Sequence, residues 1–385
     1  MIPYGKQDIN QQDIDAIVDV LKSDFLTQGP QVPLFEKTVA DYCGAKYAVA
    51  VNSATSALHI ACLALGLEKN DWLWTSPNTF VASANCGLYC GAKIDFVDID
   101  PQTYNISIEA LKYKLEIAKN KGTLPKILIP VHFAGQSCDM KSIRELADQY
   151  GFRIIEDASH AIGGRYLDTA VGGCQYSDIT VFSFHPVKII TTAEGGIATT
   201  NDDLLSGRMQ RLRSHGVTRD TKHMSTETDD PWSYQQIELG YNYRMTDLQA
   251  ALGVSQMQRL DSYIEQRHKI RCKYDQYLKE LPVIVPFQSE YTHSALHLYP
   301  VQIDTAATTL DRKQVFEQLR QAGIGVNVHY IPVHTQPYYQ RYGFKTNDFP
   351  AALKYYQRTI SLPMFSTLTN EQLLRVVSSL KNIFS

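Results

Sequence analysis

The chain has 385 residues, enough to bury a sizeable core and to divide into two domains. A hydrophobic content of 44% and a charged content of 20% are ordinary for a soluble globular protein. The net charge of −3 advertises no polyanion-binding surface, which argues against nucleic acid as a partner.

Between residues 47 and 200, short apolar runs alternate with amphipathic stretches, the pattern of a mostly parallel sheet covered by helices. Strands are expected at 47–51, 93–97, 126–131, 152–156, 179–184 and 196–199, with helices at 54–65 and 141–150. The polar stretch 218–234 reads as a loop. From 246 to about 281 a helical pattern runs without a breaker. Beyond it come strands near 295–303 and 325–329 and helices near 311–322, 351–358 and 370–381. The predicted division is a large α/β domain over 1–245 and a connecting helix with a small α+β domain over 246–385.

The opening MIPYGKQDINQQD lacks the basic start and apolar run of a signal peptide, so a cytoplasmic protein is expected. Two uncharged windows, 47–67 and 72–92, are long enough to span a bilayer. Asn52, Ser53, Thr55, Ser56 and His59 in the first, and Pro77, Asn78 and Asn85 in the second, mark them instead as buried α/β segments. No membrane association is expected. The seven scattered cysteines fit small core hydrophobes in a reducing compartment. Cys86 and Cys90 could face one another on a helix, but no second pair completes a zinc site, and no metal is expected.

Three segments sit just beyond the carboxyl ends of predicted strands, the edge where open α/β sheets bind ligands. Asn52-Ser53-Ala54-Thr55-Ser56 is a small-residue turn opening a helix, and it offers backbone N–H groups and hydroxyls to a phosphate. Alone it reads better as a plain N-cap. Asp157, in IEDASH, closes an apolar strand, where a carboxylate is costly without a cationic partner such as a pyridinium nitrogen. Lys188, in FSFHPVKIITTAEGG, lies among apolar and small residues, where desolvation would lower its pKa and free the amine for Schiff-base chemistry. Ser183 could add a donor to the phosphate. Together the three segments point to pyridoxal 5′-phosphate. A nicotinamide enzyme is disfavoured, because no G-x-G-x-x-G follows the first strand.

NSATSAL, SPNTFVASANC, EDASHA, FSFHPVKIITTAEGG, RSHG and ELGYNYRMTDLQAALG, in this order, resemble the DegT/DnrJ/StrS family of sugar-nucleotide aminotransferases. The similarity runs from LTQG at 26–29 to HYIPVH at 329–334. It implies the aspartate-aminotransferase (fold type I) architecture. It makes Lys188 the catalytic, cofactor-bearing residue and Asp157 the partner of the pyridine nitrogen. Ala54, Thr55, Ser56 and Ser183 would line the phosphate, and Phe80 would stack near the ring. His160 would reach the cofactor's phenolic oxygen, although many members carry Gln there. Asn242 would reach a phosphate across a homodimer interface. Tyr4, Phe25, Leu26, Thr27, His329 and Tyr330 match substrate-contacting positions; His185 could contact the sugar, serve a proton relay, or simply pack.

LTQG, NSATSAL, RSHG, ALGVSQ and VHYIPV resemble the pseudaminic-acid branch of the family. That branch implies transfer of an amino group from L-glutamate, leaving 2-oxoglutarate, to carbon 4 of a UDP-linked 4-keto sugar. Competing readings are another UDP- or dTDP-keto sugar aminated at carbon 3 or 4, a dehydratase of the same fold, and a non-catalytic binding protein. Dehydratase relatives replace the lysine with histidine, so Lys188 argues against the second. The intact lysine, aspartate and phosphate turn argue against the third.

Overall fold

The structure is a computed structural model that describes residues 1–225 and 230–385. Part of the polar stretch expected to be a loop, 226–229, lies outside the described residues. Around that gap the chain forms the two-residue strands Val217–Thr218 and Gln235–Gln236, which pair with each other, and a short turn at Thr221–His223.

Seven strands make the central sheet: β1 (Tyr47–Val51), β2 (Trp72–Thr75), β3 (Lys93–Phe96), β4 (Ile127–Ile129), β5 (Arg153–Asp157), β6 (Ile179–Ser183) and β7 (Gly196–Thr200). Their order is β1-β7-β6-β5-β4-β2-β3. Neighbours from β6 to β3 run parallel. Strand β7 is antiparallel to both β6 and β1, so β1 runs in the same direction as β6. The carboxyl ends of β1, β2, β4, β5 and β6 therefore share one edge. The strands are short and apolar because helices cover both faces, and almost every position in β1 and β4 to β7 is buried.

The aspartate-aminotransferase-like α/β class expected from the sequence is the class observed. Several elements differ in detail. Strand β2 was not anticipated: WLWT sits in an uncharged window with no charge to mark where the strand stops. The long helix expected from 246 to 281 is two helices, Asp247–Met257 and Leu260–Tyr277. The chain leaves helical geometry at Arg259 (φ −109°, ψ 0°), where no proline or glycine signals a break.

What holds the break is a long-range contact. Asp13, fully buried in the N-terminal helix Gln11–Leu21, accepts hydrogen bonds from Arg259 Nη2 (2.6 Å), Gln256 Nε2 (2.8 Å) and Ser255 Oγ (2.6 Å). Burial works against its charge, and these donors more than offset that, so its carboxyl stays below the usual range.

A second core gathers a three-stranded antiparallel sheet, β8 (Val283–Ile284), β9 (Tyr299–Ile303) and β10 (Thr359–Leu362), against the helices Arg312–Gln321 and Asn370–Phe384. Within the expected strand 295–303 only β9 is regular. No strand forms at 325–329: Ile324 bridges Ile2, Asn327 bridges Ser361, and the chain between them is irregular. Gly325 lets the N-terminal segment lie close, because a Cβ there would stand 2.7 Å from the Ile2 carbonyl oxygen. The bridge brings Ile2 into the second core and Tyr4 back towards the sheet edge. No helix among the described residues is long and apolar enough to cross a membrane.

Removing one partner of a buried ion pair strands the other, at a cost of roughly 3–5 kcal/mol. Asp13→Ala is expected to destabilise the protein by about that much, read as a lower denaturant midpoint at constant slope. A midpoint unchanged from wild type would show that Asp13 does not hold the break at Arg259.

Candidate functional site

A cavity of about 400 Å³ opens at the shared strand edge. Its floor is Asp157, at the end of β5. Its successor strand supplies Ser183, and the loop from 184 to 195, between β6 and β7, supplies Lys188. That loop is closed at its base by Phe184 N–H to the Gly195 carbonyl (3.0 Å) and Thr192 N–H to the Phe184 carbonyl (3.0 Å). Lys188 is thus carried on a short, tied excursion.

Burial pushes its ammonium down to about 8, and the Asp157 charge acts against that shift. Among the described residues lining the cavity, Lys188 is the single lysine or arginine.

Asp157 is held from two sides. Ser83 Oγ donates to Oδ2 (2.6 Å), while Ser159 Oγ (2.6 Å) and Ser159 N–H (3.1 Å) donate to Oδ1. These three donors are neutral and leave carboxylate lone pairs for a cation. Its neighbour Glu156 faces the other way, paired with His132 Nε2 (2.6 Å) and accepting from Thr180 Oγ1 (2.9 Å). Alternation along the strand therefore gives one carboxylate to the core network and the other to the cavity.

The turn after β1 supplies Ser53, Ala54 and Thr55 to the lining. Ser53 is the N-cap of the helix Ala54–Ala64, its Oγ accepting from Ser56 N–H (3.2 Å). Gly196 lets this turn lie against β7: a Cβ there would sit 2.4 Å from Ala54 N. The helix start, with its unpaired N–H groups, faces the cavity as an anion site.

A lysine with a lowered pKa, an anchored carboxylate and a helix N-terminus in one cavity match the aldehyde, the pyridine nitrogen and the phosphate of pyridoxal phosphate. The residues present fit the cofactor.

The structure brings together eleven of the sixteen residues singled out in the sequence: Tyr4, Ala54, Thr55, Phe80, Asp157, His160, Ser183, His185, Lys188, His329 and Tyr330 line this cavity. Ser56 does not; its hydroxyl is turned to Asn52 Oδ1 (2.7 Å). Phe25, Leu26, Thr27 and Asn242 are exposed and outside the lining. Asn242 forms an isolated antiparallel bridge with Ser214, and Thr27 one with Thr246.

His160 Nε2 is 3.0 Å from Tyr330 Oη. Residues the sequence did not single out are Ser83 and Ser159, which orient Asp157, and Asn78, which accepts from Tyr330 N–H (3.3 Å). Ser159 could have been found, since a serine two residues after an aspartate is a common local partner. Ser83, 74 residues away, left no such signal. Among the described residues, no group of three or more His, Cys, Asp or Glu side chains is placed to hold a metal ion.

Fold and site together define a pyridoxal-phosphate enzyme. Comparison with known proteins gives the family: the chain belongs to the DegT/DnrJ/EryC1/StrS aminotransferase family, whose model matches residues 7–381. It is 40% identical over 342 residues to the UDP-4-amino-4,6-dideoxy-N-acetyl-β-L-altrosamine transaminase of Campylobacter jejuni strain 81-176, covering 89% of this chain and 86% of that one. Among solved structures, Helicobacter pylori PseC, described as an aminotransferase involved in pseudoaminic acid biosynthesis, superposes with a TM-score of 0.89. It is 32% identical, over 100% of this chain and 99% of that one. Spr1654 from Streptococcus pneumoniae, in its PLP-form, superposes with a TM-score of 0.87 at 27% identity, over 99% and 98%. The protein is an aminotransferase, and its cofactor is pyridoxal 5′-phosphate.

With its pKa near 8, Lys188 loses its proton about two pH units below an ordinary lysine. Competitive amine labelling of the cofactor-free protein, read by peptide mass spectrometry, is expected to show Lys188 reactivity rising through pH 8. An unperturbed lysine amine would rise near pH 10. A Lys188 midpoint there would refute its desolvation.

Proposed function

We propose that this aminotransferase moves the amino group of L-glutamate to carbon 4 of UDP-2-acetamido-2,6-dideoxy-β-L-arabino-hex-4-ulose, in the cytoplasm, within pseudaminic acid biosynthesis. The observation that carries the reading is Lys188, with its lowered pKa, sharing one cavity with Asp157 and the Ser53–Thr55 turn. The activity for which the Campylobacter relative is named supports the sugar, and the resemblance of LTQG, RSHG and VHYIPV to that branch supports it further.

Bound there, pyridoxal phosphate supplies the electron sink that takes up charge from the carbon losing its proton. Asp157, fixed by Ser83 and Ser159, holds positive charge at the pyridine nitrogen. The helix start at Ala54 and Thr55 grips the phosphate, aided by Ser183. Phe80, exposed in the single chain, offers its ring as one face of the cavity. Lys188 Nζ takes the proton from the α-carbon of glutamate and, in the return half, delivers one to carbon 4 of the sugar. An amine poised near pH 8 can do both near neutrality. Tyr4 and His329, 5.5 Å apart between ring centres, stand at the sugar's side of the cavity.

The active unit in this proposal is a homodimer. Asn242 and residues 25–27 are exposed, and Phe25, Leu26 and Leu239 present apolar surface beside them. A second copy that covers these residues would bring Asn242 to its neighbour's phosphate.

Two experiments test this. Incubation with UDP-4-keto sugars and glutamate, followed by NMR of the product, should give a 4-amino sugar from the named substrate; Lys188→Ala should lose turnover and the visible absorbance of bound cofactor. Amination of a different keto sugar in preference would displace the substrate assignment. Separately, Lys188→Ala and Asn242→Asp should each be inactive alone. Mixed and re-equilibrated, they should regain about a quarter of wild-type activity, because half the dimers are mixed and each mixed dimer holds one intact site. No recovery on mixing would sink the shared site.

A further inference from the structure

All seven cysteines are free, and three of them meet where two helices pack. Cys62 lies on the helix Ala54–Ala64, which starts at the phosphate turn. Cys86 lies on the helix Ala82–Tyr89, which also carries Ser83, and Cys90 caps that helix. Cys62 and Cys86 are fully buried with their sulfurs 3.7 Å apart, and Cys86 Sγ donates to the Ser83 carbonyl (3.3 Å). With that proton committed, the Cys62 proton is shared between the sulfurs of Cys86 and Cys90. Cys90 is half-buried, so of the three it is the one that solvent reaches.

His59 stands on the other side of Cys90. It is buried, with Nδ1 3.1 Å from Tyr243 Oη, and Nε2 has no conventional hydrogen-bond partner among the described residues. Burial first, then Tyr241, Tyr89 and Cys90, raise the Tyr243 hydroxyl, so it keeps a proton to give to Nδ1. The ring then carries its own proton on Nε2, beside the Cys90 sulfur.

Burial holds the Cys62 thiol well above its ordinary range. Cys90 goes the other way. The hydrogen bond from Cys62 lowers it, partial burial opposes this, and His59 lowers it further. The carboxyl end of a helix disfavours a negative charge, so these two neighbours act against the dipole as well.

We propose that Cys90 is a redox-modification site: hydrogen peroxide oxidises its thiolate, and Cys62 closes the product to a disulfide that ties the phosphate-turn helix to the helix of Ser83. The Cys90 sulfur attacks one peroxide oxygen and the O–O bond breaks. The sulfur becomes a sulfenic acid, and the departing hydroxide takes a solvent proton and leaves as water. Cys62 sulfur then attacks the sulfenic sulfur, the S–O bond breaks, and the hydroxyl leaves as water with the Cys62 proton. Two thiols are oxidised and one peroxide is reduced to two waters. Neither cysteine lines the cofactor cavity, and the step does not depend on which sugar is aminated. Its reach into the site is through the helices: one opens at Ser53–Thr55, and the other holds Ser83, whose Oγ donates to Asp157.

The test treats the cofactor-loaded enzyme with a small excess of hydrogen peroxide. Cleavage after Tyr89 separates Cys86 from Cys90, so peptide mass spectrometry tells their bridges apart. The expected bridge is Cys62–Cys90. Cys90→Ser should abolish it, Cys86→Ala should still form it, and Cys62→Ala should leave a sulfenic acid on Cys90 that dimedone traps. Alkylation of Cys90 by iodoacetamide should persist well below pH 8.5, about the midpoint of an ordinary thiol. The bridged enzyme should bind pyridoxal phosphate about tenfold more weakly, the scale of one hydrogen bond to a charged group, and recover after reduction and desalting. Cys90→Ser should hold the cofactor equally well before and after peroxide.

A Cys62–Cys86 bridge, a bridge that forms only after denaturation, an ordinary alkylation midpoint for Cys90, or unchanged cofactor binding in the bridged enzyme would overturn the proposal. Should Cys90→Ser fail to fold, the wild-type peptide map and alkylation profile decide it.

Discussion

The site depends on keeping one amine away from water while leaving it a carboxylate to feel. Lys188 is carried on a loop whose base is tied between two strands, and burial outweighs the pull of Asp157 on its proton. If Asp157 were free to swing towards the amine, the two would close into an ion pair and the amine would stay charged. Ser83 and Ser159 restrain it by donating to one carboxylate oxygen each. The lysine's reactivity is therefore a property of the serines as much as of the lysine.

The same constraint shapes the histidines around it. His160, His297 and His329 are all buried and all held below the ordinary imidazole range, His329 to about 3. Burial is the leading cause for each, and the Lys188 charge contributes to all three. Neutral rings can pack 4.4 Å apart, as His160 and His297 do, without mutual repulsion. Neutral, they add no positive charge beside Lys188. A charged histidine there would compete for Asp157 and lower the amine further.

How much of this could be read from the residues follows from the range of each interaction. The strands at 47–51, 179–184 and 196–199 were legible because strands covered on both faces are apolar runs, and polar turn residues mark the ends of the first two. Lys188 and Asp157 stood out because a charge among apolar residues is costly at any sequence distance. The break at Arg259 was not legible, because Asp13, 246 residues away, makes it. The isolated bridges that replace a strand at 325–329, Ile2 with Ile324 and Asn327 with Ser361, likewise join residues remote in sequence. The contacts of His160 with Ala134 and Tyr330 were not legible either, because both partners are remote in sequence.

Positive charge gives the last step. A nucleotide-linked sugar carries a diphosphate, and the cofactor carries a phosphate of its own. The helix start at Ala54 can serve one phosphate with backbone N–H groups. Among the described residues of the lining, only Lys188 is a lysine or arginine, and it is committed to the chemistry. A single chain therefore has a well-made reaction centre and too few donors for the anions it must hold. Residues 25–27 and Asn242 lie exposed outside that cavity, next to uncovered apolar side chains. A surface that is exposed, apolar at its margins and carries the missing polar groups is what a second copy needs in order to complete the site. On this argument the proposed dimer would follow from the charge of the proposed ligands, and the apolar patch would be how the chain meets that need.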